Sequence, residues 1–282
     1  VVAARAAGST IKCTTEHEQE TNMTHEVLTS VQDGVGTITI NRPELMNAVN
    51  PAVLEHVIAA IETFDADDAV RVMVLTGAGK AFCAGGDRPF LATLTQMTPD
   101  TIKRTIYRSF LGTVRAIKAS SKPVIASVNG AAVGAGCEFA VACDFRIVST
   151  KAFFWENWID LGLIAPLGGM VLLPQLIGLE RATNMLMRSV RVYGEEAKAI
   201  GLATEVCAPE ALAERTQAFA VELAQRPRQS LAILKQGLRR GAEASLAGEW
   251  EFSVQAQSLL FSGPDFAEAI SAIENKRAPV YK

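Results

Sequence analysis

The sequence predicts an α/β protein whose strands run largely parallel. Short apolar runs end in glycine turns, as Val72–Leu75 does before Thr76-Gly77-Ala78-Gly79 and Pro123–Val128 before Asn129-Gly130. Stretches with helical apolar spacing lie between them, and strands alternating with helices argue for parallel pairing. From about residue 168 helical periodicity takes over, so a helical region follows the mixed one.

Val27–Val31 and Val35–Ile40 are β-rich segments joined by Gln32-Asp33-Gly34, which reads as a hairpin. Asn41-Arg42-Pro43 stops the second strand. Pro51 stands where a helix can begin, and Val53, Leu54, Val57, Ile58 and Ile61 follow at helical spacing. A helix is predicted from about Pro99 to Ala119. Strand Pro123–Val128 comes next, then a helix from near Gly134 and a strand at Phe145–Val148. The helical remainder is broken at Gly178, Gly194, Gly201 and Pro227, with a short extended piece near Thr204–Val206. Residues 1–22 are Ala-rich, then polar and acidic. They read as a disordered extension or a cloning remnant ahead of Met23, and bear a weak likeness to a cleaved targeting region.

The 282 residues are 49% hydrophobic, enough for a sizeable core. A net charge of -3 and the lack of a basic run argue against nucleic acid. No apolar stretch reaches the roughly 20 residues of a membrane span. Five cysteines without a C-x-x-C pair argue against a disulfide framework or a structural zinc, and suit a reducing cytoplasm. The histidines are His17, His25 and His56; the first two lie near the start and His56 reads as a surface helix residue. A Ser-His-Asp or Cys-His system therefore has no evident base, and no metal site is expected.

Two glycine-rich turns remain as candidates. Ala81-Phe82-Cys83-Ala84-Gly85-Gly86-Asp87 comes after the Val72–Leu75 strand, and Asn129 to Glu138 after the Pro123–Val128 strand. Small residues let a ligand approach the backbone, and N–H groups at such turns bind oxyanions. The second turn lacks the glycine spacing of a dinucleotide fingerprint.

These segments resemble motifs of the crotonase (enoyl-CoA hydratase/isomerase) superfamily. Asn41-Arg42-Pro43…Asn47-Ala48 is similar to N-R-P-x-x-x-N-A, and Ala81 to Asp87 to A-F-x-A-G-x-D. Lys122-Pro123-Val124-Ile125-Ala126…Gly134-Ala135-Gly136-Cys137-Glu138 and Cys143-Asp144-Phe145-Arg146 follow in the family's order. Gly178-x-x-Arg181-Ala182, Glu196-Ala197, Gly201-Leu202 and Lys276-Arg277-x-Pro279 extend the likeness, which runs from about residue 26 to 282.

The resemblance implies a spiral of ββα units with a helical C-terminal region: an α/β core over 23–205 and a helical trimerisation region over 206–282. It implies a homotrimer or homohexamer acting on an acyl-CoA thioester, with coenzyme A part of the substrate and no separate cofactor. The thioester oxygen would sit between the N–H groups of Gly86 and Ala135, with Ala84, Gly85, Asp87 and Gly134 around it and the adenine and phosphates near the first motif. Two such donors typically contribute about 3–4 kcal/mol each to an enolate. The family's first acid/base glutamate maps onto Glu138. Its second maps onto Trp158, which cannot transfer a proton, and a further acidic position maps onto Pro166. Glu156 and Asp160 flank Trp158 as alternatives, while Trp155 and Trp158 can wall an acyl pocket. The expected activity is thus of the hydratase/isomerase type. Isomerisation, decarboxylation or C–C hydrolysis, or binding without catalysis, stand as alternatives to hydration.

Overall fold

The computed structural model describes residues 26–241, 254–257, 259–261 and 263–281. The reading of residues 1–22 therefore lies outside the described residues.

The first described elements are the hairpin strands β1 (Val27–Gln32) and β2 (Val35–Ile40), turned by Asp33 and Gly34 at positive φ. Helix α1 (Pro51–Ala66) is capped by the Asn50 side chain, which accepts from the Val53 N–H. Strands β3 (Val72–Gly77) and β4 (Ala81–Cys83) precede helices α2 (Arg88–Leu94) and α3 (Pro99–Ala119). Strands β5 (Val124–Val128) and β6 (Ala131–Val133) lead into α4 (Ala135–Ala142), then β7 (Phe145–Ser149) and β8 (Phe153–Trp155). Helices α5 (Gly169–Ile177) and α6 (Leu179–Arg188), strand β9 (Val192–Tyr193), α7 (Gly194–Ala199) and β10 (Glu205–Cys207) follow. Helices α8 (Leu212–Ala224), α9 (Arg228–Gly241) and α10 (Pro264–Glu274) complete the described elements.

After the hairpin, whose two strands both join the larger sheet, each successive pair of strands sends one strand to each of two sheets. The larger sheet runs β1-β2-β3-β5-β7-β10, parallel except for the hairpin. Alternate residues face opposite sides: Met73 and Leu75 enter the main core, whereas Val72 and Val74 meet Leu212 and Ala220 of α8. The smaller sheet runs β4-β6-β8-β9, its first three strands parallel. This second sheet is absent from the sequence-based expectation, because three-residue strands show no period.

Several motif residues hold this frame together. Asn47, fully buried at φ 57, donates to the Ala78 and Ala81 carbonyls at 2.8 and 2.7 Å. Buried Arg146 donates to the Leu202 and Cys143 carbonyls at 2.6 and 2.7 Å. Lys122 donates to the Phe64 and Asp67 carbonyls. Such buried cations are tolerable because backbone oxygens replace their water. Among the described residues no helix is long and apolar enough to cross a membrane.

Candidate active site

Strands β4, β6 and β8 lie side by side and run parallel, so the segments that leave their C-terminal ends meet. These are Ala84–Gly86, Gly134–Ala135 and the run from Glu156 to Trp158. Parallel sheets place ligand sites at such ends.

Gly85 adopts φ 90 and Gly134 φ 51 with ψ −117, conformations that suit glycine. A Cβ on Gly85 would stand 3.0 Å from the Val133 oxygen and 3.8 Å from the Ala135 nitrogen, so the two turns abut. The Gly134 N–H donates to the Trp155 oxygen at 2.8 Å, tying the third segment to the second. Among the described residues neither the Gly86 nor the Ala135 amide donates to a backbone acceptor. Ala135 opens α4, where a free N–H is inherent to a helix start.

Both residues border a cavity of ≈ 250 Å³ together with Ala84, Gly85 and Gly134. Phe90, Leu91 and Leu94 of α2 and Ile102 and Phe110 of α3 form apolar walls. Trp158 and the stretch from Leu161 to Leu167 close the other side. Helix α2 is only two turns long, too short to show an apolar period, so this wall is not legible in the sequence.

Glu138, in the first turn of α4, is 1% exposed. Its Oε1 accepts from the Leu167 N–H at 2.9 Å and the Gly169 N–H at 2.7 Å. Burial pushes its carboxyl up to about 7, against the pull of the Gly169 and Leu167 amides and the Trp158 indole. Its Oε2 is buried without a hydrogen-bond partner. Glu156 is fully buried, and neither of its oxygens has a partner. Burial drives its carboxyl well above the usual range, and the nearby Glu138 charge drives it further. The half-buried Trp158 borders the cavity, while its Nε1 is buried without a partner of normal geometry. That N–H still lies close enough to both carboxyls to offset part of their upward shift.

Other expected site residues go elsewhere. Asp87 is outside the cavity lining: its carboxylate caps α2 through the Phe90 N–H and accepts from Asn50 and Arg42 at 2.9 and 3.1 Å. Burial alone would raise its pKa, but those donors outweigh burial and hold it below the usual carboxylate value. Asp160 is exposed on the 3-10 turn Ile159–Leu161 and accepts from the Ser189 hydroxyl at 2.5 Å. That turn carries it away from the cavity lining, onto Ser189. Trp155 likewise does not wall the cavity. Its Nε1 donates to the Ser189 hydroxyl oxygen at 2.7 Å, and the Arg191 guanidinium lies 4.0 Å from its ring centre.

The cavity is thus bordered by two amides that have no backbone acceptor among the described residues, and the adjoining helix turn carries a buried carboxyl of raised pKa. The fold places that site in a known class of enzymes. A family model described as enoyl-CoA hydratase/isomerase matches residues 30–282, and the chain belongs to that family, within the crotonase superfamily. It is 34% identical over 91% of its length to a protein of Rhizobium meliloti named probable enoyl-CoA hydratase, covering 97% of that protein. It is 33% identical over 90% of its length to the 1,2-epoxyphenylacetyl-CoA isomerase of Escherichia coli, covering 97% of it. The solved structure of a putative enoyl-CoA hydratase from Streptomyces coelicolor superposes with a TM-score of 0.88 at 31% identity, over 95% of this chain and 98% of the other.

Proposed function

We propose that this enzyme binds an acyl-CoA thioester in the cavity between α2, α3 and Trp158, and forms its enolate there. The Gly86 and Ala135 N–H groups receive the thioester oxygen, and Glu138 takes the α-proton. The observation that carries this reading is that the two amides border one cavity at the ends of β4 and β6, with Glu138 in the first turn of the helix that Ala135 opens. As the α C–H bond breaks, its electron pair moves into the enolate, whose charge builds where the donors already point. Glu138 then returns the proton to the α-carbon or to a more distant carbon of the same acyl chain. Coenzyme A enters as part of the substrate, its adenine and phosphates beside the first glycine turn.

Trp158 borders the cavity where hydration would need a second carboxyl, and it has none. One carboxyl suffices to carry a proton between two carbons, so double-bond isomerisation fits this site better than addition of water. A second reading, an acyl-CoA-binding homologue without turnover, draws on one observation: Glu138 is 1% exposed and outside the cavity lining. Incubation with a panel of acyl-CoA thioesters in deuterated water separates the two. Deuterium at the α-carbon supports the enzyme, and tight binding without exchange supports the binder.

The assembly we propose is a homotrimer or homohexamer with contacts from the helical region after residue 206. Exposed apolar residues there, among them Leu234, Leu238 and Phe261, support it. Light scattering of the full chain gives the mass that tests it.

A further inference from the structure

Four of the buried polar atoms that lack a partner belong to three residues, Glu138 Oε2, both oxygens of Glu156 and Trp158 Nε1, and the Glu138 charge and the Trp158 indole both act on the Glu156 carboxyl. Unpaired buried groups are costly, and a native fold keeps them where they have work to do. The local backbone explains this proximity. Val133 pairs with Trp155, and the Gly134 N–H holds the Trp155 oxygen, so the next three residues wrap the first turn of α4. A Cβ on Gly134 would stand 3.1 Å from Asn157 Oδ1 and 3.6 Å from Trp158 Cε2.

The set is complementary in one protonation state. With Glu138 ionised and Glu156 neutral, the donors are the Glu156 O–H, the Trp158 N–H and, weakly, the Cys137 S–H, and the acceptors are Glu138 Oε2 and the second Glu156 oxygen. Ionising both carboxyls would leave two like charges in the core, and the Leu167 and Gly169 amides serve only Oε1 of Glu138. We propose that Glu156 is the positioning residue of this site: it keeps its proton, directs its O–H toward the free oxygen of Glu138, and lets Glu138 carry the single negative charge. The groups that act on Glu156 are Glu138 and Cys137 of α4 and the Trp158 indole. Cys137 is itself a buried thiol pushed well up, first by burial and then by Glu156, so it adds no charge near neutrality. The proposal rests on Glu138 as the acid/base; Glu156, buried and outside the cavity lining, acts through Glu138 and does not replace the acid that Trp158 displaces.

The test compares wild type, Glu156→Leu and Glu156→Gln by the pH profile of α-deuteration and by difference infrared spectroscopy of protonated carboxyls. Removing the O–H takes a donor from ionised Glu138. The rising limb of the Glu156→Leu profile should therefore move to higher pH by about one unit, lowering exchange about tenfold near neutrality with recovery above it. The Glu156→Gln amide, still a donor, should restore part of the shift. A Glu156→Leu profile that overlays wild type would make Glu156 merely structural. A limb that moves to lower pH would make it an ionised neighbour. Either result overturns the proposal. The infrared arm needs no turnover and no leucine variant. A protonated-carboxyl band in wild type at mildly alkaline pH, kept in Glu138→Gln and lost in Glu156→Gln, supports it, and absence of that band from wild type overturns it. Failure of wild type to exchange any thioester would instead count against the proposed function.

Discussion

The Gly169 amide donates to Glu138 Oε1 at 2.7 Å, and a Cβ on Gly169 would meet the same oxygen at 3.0 Å. Glycine at the start of α5 thus both holds the carboxylate and leaves it room. Gly169→Ala keeps the N–H and suits the helix, yet crowds the carboxyl by a few tenths of an ångström. It should lower turnover about tenfold through misplacement of Glu138, with little loss of stability. Kinetics alongside thermal melting would show whether activity falls and the melting temperature holds.

Ala135→Pro removes one oxyanion donor at the first position of α4, where a helix tolerates proline. Loss of such a donor costs about 10²–10³ in kcat. Kinetics on a turned-over thioester should show that loss in kcat with KM nearly unchanged. An equal effect on binding alone would place the thioester oxygen elsewhere.

Stability should also fall with rising pH through the same carboxyl. An unfolded chain ionises Glu138 near 4.5, whereas the folded chain holds its proton to about 7. Between those values the unfolded state binds fewer protons, so the Glu138 contribution to stability declines from about pH 4.5 to about pH 7 and then levels, while Glu156, which holds its proton to higher pH, continues the decline. The Glu138 contribution amounts to roughly 3 kcal/mol at most. Denaturant unfolding of Glu138→Gln should show a smaller loss between about pH 5 and about pH 8 than wild type.

Gly136 is required by the fold rather than by the chemistry. A Cβ there would lie 2.1 Å from the Cys83 carbonyl oxygen, and backbone on backbone has no soft way to yield. Gly136→Ala should cost at least about 3 kcal/mol or prevent folding. Circular dichroism and melting of the variant would check this.

Much of this arrangement is visible in the residues. The hairpin turn, the proline-started helices α1 and α3 and the buried strands β5 and β7 each carry a local signal, from apolar period to capping residue. The strands β4, β6 and β8 do not, since Ala81–Cys83 and Ala131–Val133 look like parts of glycine turns. Their pairing decides the site, because it brings the segment carrying Glu156 to the turn before α4, close enough for the Glu138 charge to act on Glu156. No spacing along the chain reveals that proximity. Position 160 shows the same limit: a 3-10 turn three residues long carries Asp160 out to Ser189. The Asp87 carboxylate follows the first glycine turn as the family pattern has it, yet its partners Arg42, Asn50 and Phe90 come from the surrounding frame.

The central claim is that Glu138 moves the α-proton of a thioester held by Gly86 and Ala135. Mass spectrometry of acyl-CoA thioesters incubated in deuterated water with wild type and Glu138→Gln tests it most directly. Deuterium should enter the α-carbon with wild type, and the variant should lose about 10²–10⁴ of that rate while still binding the thioester. Equal exchange by the two proteins would contradict the account and move the proton transfer to another residue.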